Sequence, residues 1–321
     1  MYILIGIVII LLFIWICNIK YKNSDYFLDD YNKIKNSDYF LDDYNKIKKF
    51  IDGVPENLEI VNTGSNHAYY GFNYGSRKCF NFASGAQSLN YDYKILKQYS
   101  NNLNGGCKVL IVLAPLSFGF VDYKNDSSNS RYYFFMDKDK ILNYSRLKKF
   151  LYVHIPILRS WKNFIRIFLR KKEIKFIINT PNNAENEALL RINGWKKQFN
   201  LKSLLDKKSA NCLKDEFENV KVILLDMIEF SLEHSWCPII VIPPASVFLT
   251  EKIPDEFMKE VLYDNIKFLK DKQIPILNYW KDNRLNDYKL YINSDFLNEK
   301  GSKLFTKIVL EDIKKLDKVQ R

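Results

Sequence analysis

No pair of cysteines in this 321-residue chain is spaced CxxC, and the five present, Cys17, Cys79, Cys107, Cys212 and Cys237, are widely separated and odd in number. That pattern argues against a disulfide framework or a structural zinc site and leaves buried free thiols as the default. No glycine-rich dinucleotide fingerprint follows the first strand-like run, and no P-loop lysine pattern occurs, which counts against a nucleotide-binding domain. The net charge of +12 comes without an RNA-binding signature or zinc-finger spacing, and Lys and Arg are interleaved with Asp and Glu. Nucleic acid is therefore not the expected partner; an anionic membrane surface or an acidic polymer suits a basic chain of this kind better. Histidine is scarce, with only His67, His154 and His234.

Basic residues are also missing ahead of the first hydrophobic run. From Met1 to Cys17 every residue is apolar or glycine, and the first positive charges, Lys20 and Lys22, follow it. The run lies at the short edge of what spans a bilayer. A secretory signal would carry a basic start and small residues before its cleavage site, whereas Trp15, Ile16 and Cys17 close this one. A single-pass anchor over residues 1–19 is the expectation, with a buried core helix as the competing one. The charges after the span favour a cytoplasmic domain. A segment missing upstream could reverse that count.

Residues 20–50 read as a stalk. Asn23–Lys35 and Asn36–Lys48 repeat the same thirteen letters, NSDYFLDDYNKIK. In one copy Phe27, Tyr31 and Ile34 share a helical face, so a short amphipathic helix is expected. Thirteen residues at about 100° each turn the second apolar face by roughly 220°, so the copies cannot extend one stripe.

Residues 51–321 read as one α/β domain. Strands are expected at Leu58–Thr63, Cys79–Ala83, Lys108–Leu113, Cys237–Ile242 and Pro275–Tyr279, and helices at Ser88–Leu103, Asp255–Lys272 and Asn298–Lys315. Their alternation points to a parallel sheet with helices on both faces, a doubly wound, flavodoxin-like three-layer α/β/α arrangement. Ligands then gather at the carboxyl ends of the strands. Phe120 to Ser235 lacks strong strand signals and reads as a helical insertion. Within it Arg159, Lys162, Arg166 and Arg170 form a basic stripe beside Trp161, Ile165 and Phe168, either a membrane- or polymer-gripping helix or an ordinary solvated face.

Three blocks sit where loops leave strands or helices begin: Asn62-Thr63-Gly64-Ser65-Asn66-His67, Asn81-Phe82-Ala83-Ser84-Gly85, and Asn293-Ser294-Asp295-Phe296-Leu297-Asn298-Glu299-Lys300-Gly301. In this order they resemble the SGNH, or GDSL-like, hydrolases, in particular the membrane-anchored bacterial branch that accompanies cell-surface polysaccharide genes. The resemblance covers roughly residues 58–116 and 237–312. It implies a serine nucleophile after the first strand, an oxyanion-hole glycine after the second, and an Asp-x-x-His pair near the C-terminus. It also implies ester hydrolysis or acyl transfer without a metal or organic cofactor, an extracytoplasmic domain, and as partners a cell-surface glycan or glycolipid and a polysaccharide-synthesis complex.

The frame fits and the chemical groups depart from it. Gly64 and Gly85 match the family glycines, while the nucleophile position falls on Asn66, one residue after Ser65. In one register Phe296 stands where the base should be and Asn293 at the orienting acid; in the other Asp295 is the acid and Asn298 the base. A serine hydroxyl without a neighbouring base is a weak nucleophile. Ser65 thus reads as nucleophile or turn residue and Asp295 as a site residue or helix cap; His67, a candidate beside Ser65, opens the following helix and would reach the same reacting atom only in unusual geometry. A degenerate or rebuilt enzyme and a non-enzymatic glycan-binding or assembly protein of the same fold both follow from this pattern.

Overall fold

The computed structural model describes residues 2–22, 43–119, 129–159, 164–165, 180–201 and 214–319. The first repeat copy, the start of the second, and all of the basic stripe except Arg159 and Ile165 lie outside them. The chain forms two compact units, one of Met1–Val54 with Asp122–Lys175, the other of Pro55–Val121 with Phe176–Arg321.

The first unit begins with helix α1, Tyr2–Lys22. Its stretch from Leu4 is long and apolar enough to cross a membrane. Helix α2, Asp43–Ile51, takes up the last six residues of the second repeat copy. Ile47 is buried there, and Phe50 stacks on Phe135 with ring centroids 4.2 Å apart. Helix α5, Arg146–His154, belongs to the same unit and is capped by Ser145, whose hydroxyl accepts from the Lys148 amide.

The second unit is built on a five-stranded, all-parallel sheet: β1 Leu58–Thr63, β2 Cys79–Asn81, β3 Leu103–Val112, β4 Cys237–Ile242 and β5 Ile276–Asn278, in the order β2-β1-β3-β4-β5. Parallel strands buried on both faces need continuous apolar runs, which KVLIV in β3 and CPIIVI in β4 supply. Leu110 pairs with Ile239 and Val112 with Val241 in register, so these four face one side. The long C-terminal helix α10, Glu299–Val319, covers that side with Phe305, Ile308, Val309 and Ile313, spaced as one helical stripe. Along the sequence the other helices of this unit are α3 Asn66–Gly71, α4 Leu89–Gln98, α6 Pro181–Gln198, α7 Lys214–Glu233, and the short α8 Val247–Thr250 and α9 Asp255–Met258.

Where one long helix was expected from Asp255 to Lys272, the backbone changes pitch twice. The α-turn of α9 passes into a π-turn at Lys259–Tyr263 and then a 3-10 run at Asp264–Leu269. Strand β3 starts five residues earlier than its apolar run, because Leu103 pairs with Leu58 before a register shift brings Lys108 opposite Ile60. The chain leaves β1 toward β2 on one side and comes back to β3 on the other. Such a reversal opens a crevice at the carboxyl ends of the strands, and the first two sequence blocks end there.

Candidate functional site

The turn after β1 is fixed by a glycine that nothing else can replace cheaply. Gly64 has φ of +127°, and a Cβ there would lie 2.8 Å from the Cβ of Ala68 and 3.1 Å from both the Cβ and carbonyl oxygen of Val112. Its amide donates to Asp92 Oδ1 at 2.8 Å, and Gln87 Nε2 donates to the same oxygen at 2.6 Å. Gly64 O in turn accepts from the Ser84 amide at 3.3 Å. The first two blocks are thus stitched together through a buried carboxylate on α4. Asn81, the last residue of β2, completes the stitching: its side-chain amide reaches the carbonyls of Ala68, Tyr69 and Phe72, each at 3.2 Å.

Ser65 follows Gly64 as the residue before α3 and makes no side-chain capping bond; its carbonyl instead accepts from the amides of Ala68 and Tyr69. Ser65 and Asn66 are half-buried. Gly85 is buried in the turn after β2, next to Ala86, which sits in the left-handed region with φ of +50°.

The third block enters the same region from the C-terminal side. Asn293 Oδ1 accepts from the amides of Asp295 and Phe296 at 3.1 and 2.9 Å, a local turn that aims both side chains inward. Asp295 is 2% exposed, and its carboxylate lies 3.0 Å from Arg191 Nε and 3.6 Å from His67 Nε2. Arg191 comes from α6, one turn after Glu187, which it also approaches at 3.7 Å. Glu187 accepts from the Ser294 amide at 2.5 Å and from the Ser294 hydroxyl. Phe296 is buried; the His67 ring meets it edge-on at 4.7 Å, Tyr70 stacks on it at 5.6 Å, and the Arg191 guanidinium lies 5.4 Å from its ring centre.

Of the residues singled out in the sequence, the fold brings His67 and Asp295 together. Asn298 faces elsewhere: its amide donates to the carbonyls of Lys289 and Tyr291, and its Oδ1 caps α10 by accepting from the Gly301 amide at 3.0 Å. The helix-cap role considered for Asp295 therefore falls to Asn298. Among the described residues no hydrogen bond joins Ser65 or Asn66 to His67, and none is made by His67 Nε2. His234 turns its Nδ1 to the Phe230 carbonyl at 2.8 Å, while His154 ends α5 in the other unit.

The electrostatics follow from this packing. Burial, with the Arg191 charge second, pushes the His67 imidazole down from its ordinary 6.5 to about 3. Asp295 would pull the other way, but its charge is already matched by Arg191. His67 is therefore neutral at any physiological pH. Three buried hydroxyls at strand ends, Thr63 closing β1, Ser84 after β2 and Ser246 after β4, form no hydrogen bond within the described residues. Such groups are uncommon in folded proteins and call for a partner. Among the described residues no three His, Cys, Asp or Glu side chains group as metal ligands.

Sequence reasoning missed Arg191 and Glu187, and gave no role to Asn81 or to the tie from Asp92 to Gly64. The first two lie one helical turn apart in Glu-Ala-Leu-Leu-Arg, a pair that reads as an ordinary surface contact until Asp295 is placed against it. No protein-family model matches the chain, and no curated protein is significantly similar to it.

Proposed function

We propose that this chain is a membrane-tethered, SGNH-hydrolase-like protein of cell-envelope polysaccharide or glycolipid metabolism whose carboxyl-edge crevice binds its ligand without cleaving it. The parallel order β2-β1-β3-β4-β5 is the one a doubly wound, flavodoxin-like fold has, and it supports the finer fold assignment. The observation that carries the functional reading is Phe296. In the register that best matches the family it stands where the base should be, buried against His67 and Tyr70. The one imidazole beside it, His67, is pushed down to about 3 by burial and by the Arg191 charge. A general base works best with a pKa near the operating pH, so His67 is a poor proton acceptor for Ser65. It is, however, a good neutral partner for a hydroxyl. Together with the hydroxyls of Thr63, Ser84 and Ser246, which form no hydrogen bond among the described residues, it supplies polar contacts suited to a sugar.

The second reading, ester hydrolysis or acyl transfer through Ser65 with His67 and Asp295 as a rebuilt pair, rests on their 3.6 Å contact. It is disfavoured by the missing link from Ser65 to His67 and by the engagement of Asp295 with Arg191. In the preferred reading α1 is a single-pass anchor, the domain is extracytoplasmic, and the bound glycan or glycolipid connects it to a synthesis complex. The test is binding of cell-surface polysaccharide to the full chain in nanodiscs, with Thr63→Val and Ser84→Ala combined. Loss of two hydrogen bonds, at about 1 kcal/mol each, lowers affinity roughly thirtyfold. Equal binding by the two proteins, or none by either, overturns the reading.

A further inference from the structure

Helix α5 carries a face that is exposed among the described residues. Leu147 is 67% and Phe150 57% exposed, and they are one turn apart, with the Phe150 ring 4.7 Å from that of His154 one turn further on. Arg146 and Lys149 flank them and are exposed as well. The opposite face, through Tyr152, packs edge-on against Tyr133 at 5.4 Å. Single exposed apolar residues are ordinary on a protein surface. What distinguishes these two is where the helix is fixed.

The C-terminal end of α5 is fastened to the end of α1. Asn18, a buried polar residue just past the apolar run, donates through its side-chain amide to the His154 carbonyl at 3.2 Å, and its Oδ1 accepts from the Ile157 amide at 3.4 Å. Cys17 and Tyr21 bury themselves on Ile157, with Ile155, Leu158 and Phe164 packed around them. Above this turn nearly all of Leu4–Ile16 is exposed. The whole of α1, 21 residues, rises about 30 Å at 1.5 Å per residue, the thickness of a hydrocarbon core, so its last turn, Cys17–Tyr21, sits near the depth at which hydrocarbon gives way to headgroups. The exposed Lys20 lies at the same level.

We propose that α5 lies in the interfacial layer of the bilayer that α1 spans, with Leu147 and Phe150 at the acyl boundary and Arg146 and Lys149 on anionic headgroups. The proposal rests on α1 being a span. An amphipathic helix beside a span gains both from apolar burial and from attraction to acidic lipid. It gives the chain a second membrane contact, which fixes the anchor against rotation and holds the unit flat on the surface. It also makes α1 a working part of the folded unit, since Cys17, Asn18 and Tyr21 complete that unit's packing.

The test places a photoreactive benzoylphenylalanine singly at Trp15, Leu147, Phe150 or Tyr152 of the full chain. Each protein is reconstituted in phosphatidylcholine vesicles with and without phosphatidylglycerol. Lipid adducts are expected at Trp15, Leu147 and Phe150, and protein adducts only at the inward-facing Tyr152. Replacing Arg146 and Lys149 with glutamine lowers the Phe150 lipid adduct in the phosphatidylglycerol vesicles, by roughly fivefold per charge removed. Lipid adducts at Trp15 with none at Leu147 or Phe150 overturn the proposal and leave the span intact. No adduct at Trp15 overturns both. A crosslink from Phe150 to a second copy of the chain assigns the face to a protein interface and overturns the membrane assignment.

Discussion

Replacing Arg191 with methionine, which keeps the stem and removes the charge, exposes how the candidate site is held. Asp295 is 2% exposed and loses its 3.0 Å ion pair. Removing one partner of a buried pair costs about 3–5 kcal/mol. The Arg191 side chain is 23% exposed, so the lower end, about 3 kcal/mol, is the expected loss of stability above neutral pH. His67 should respond in turn. Its pKa is low through burial first and the Arg191 charge second, and the substitution removes the second cause. It also leaves the carboxylate 3.6 Å away unmatched. At an effective dielectric of about 20, that attraction is worth roughly 4–5 kcal/mol, enough to move the imidazole well up toward neutrality. With only three histidines in the chain, labelled-histidine NMR in nanodiscs, assigned with His67→Asn, reads the titration directly, and denaturant unfolding reads the stability. The reasoning fails if the His67 signal titrates as in the parent protein and stability changes by less than about 1 kcal/mol.

The parent protein should lose stability on acidification. The unfolded chain binds the His67 proton at the ordinary 6.5, the folded chain only near 3, so stability falls as pH drops through that window, at up to about 1.4 kcal/mol per pH unit. His67→Asn should flatten that stretch of the pH–stability curve. Gly64→Ala combines positive φ with a 2.8 Å clash against Ala68 and should destabilise by about 3 kcal/mol or more, visible as a lowered denaturant midpoint without a change in slope. Asn298→Ala removes the cap of α10 and should cost about 1–2 kcal/mol of stability while leaving glycan affinity unchanged.

The sheet was legible because its strands are apolar runs with sharp punctuation. β1 ends at Gly64 and β4 at Pro243, and both have the boundaries expected from the sequence. Boundaries drifted where tertiary pairing overrode local pattern. Residues 103–107 joined β3 through contact with Leu58 although Gly105 and Gly106 lie among them, and the expected helix before them stops at Gln98. The long helix from Asp255 broke because its pitch follows packing that no periodicity records. In the site, the glycine turn and the three blocks could be found by motif. The pairing of His67 with Asp295 could not, because it depends on how far α3 and the 293–297 turn approach across the crevice. Arg191 was hidden for the same reason: its charge looks solvated on α6 until a buried carboxylate is set beside it.

The central claim is that Ser65 has no working base, and covalent labelling with a serine-directed fluorophosphonate tests it most directly. The full chain and Ser65→Ala would be incubated with the probe in nanodiscs at neutral pH, and adducts located by mass. The parent chain is expected to show no adduct at Ser65 and the same labelling as Ser65→Ala, together with retained glycan binding. Labelling of Ser65 in the parent chain that Ser65→Ala abolishes would contradict the claim and restore the crevice as an acyl-transfer site.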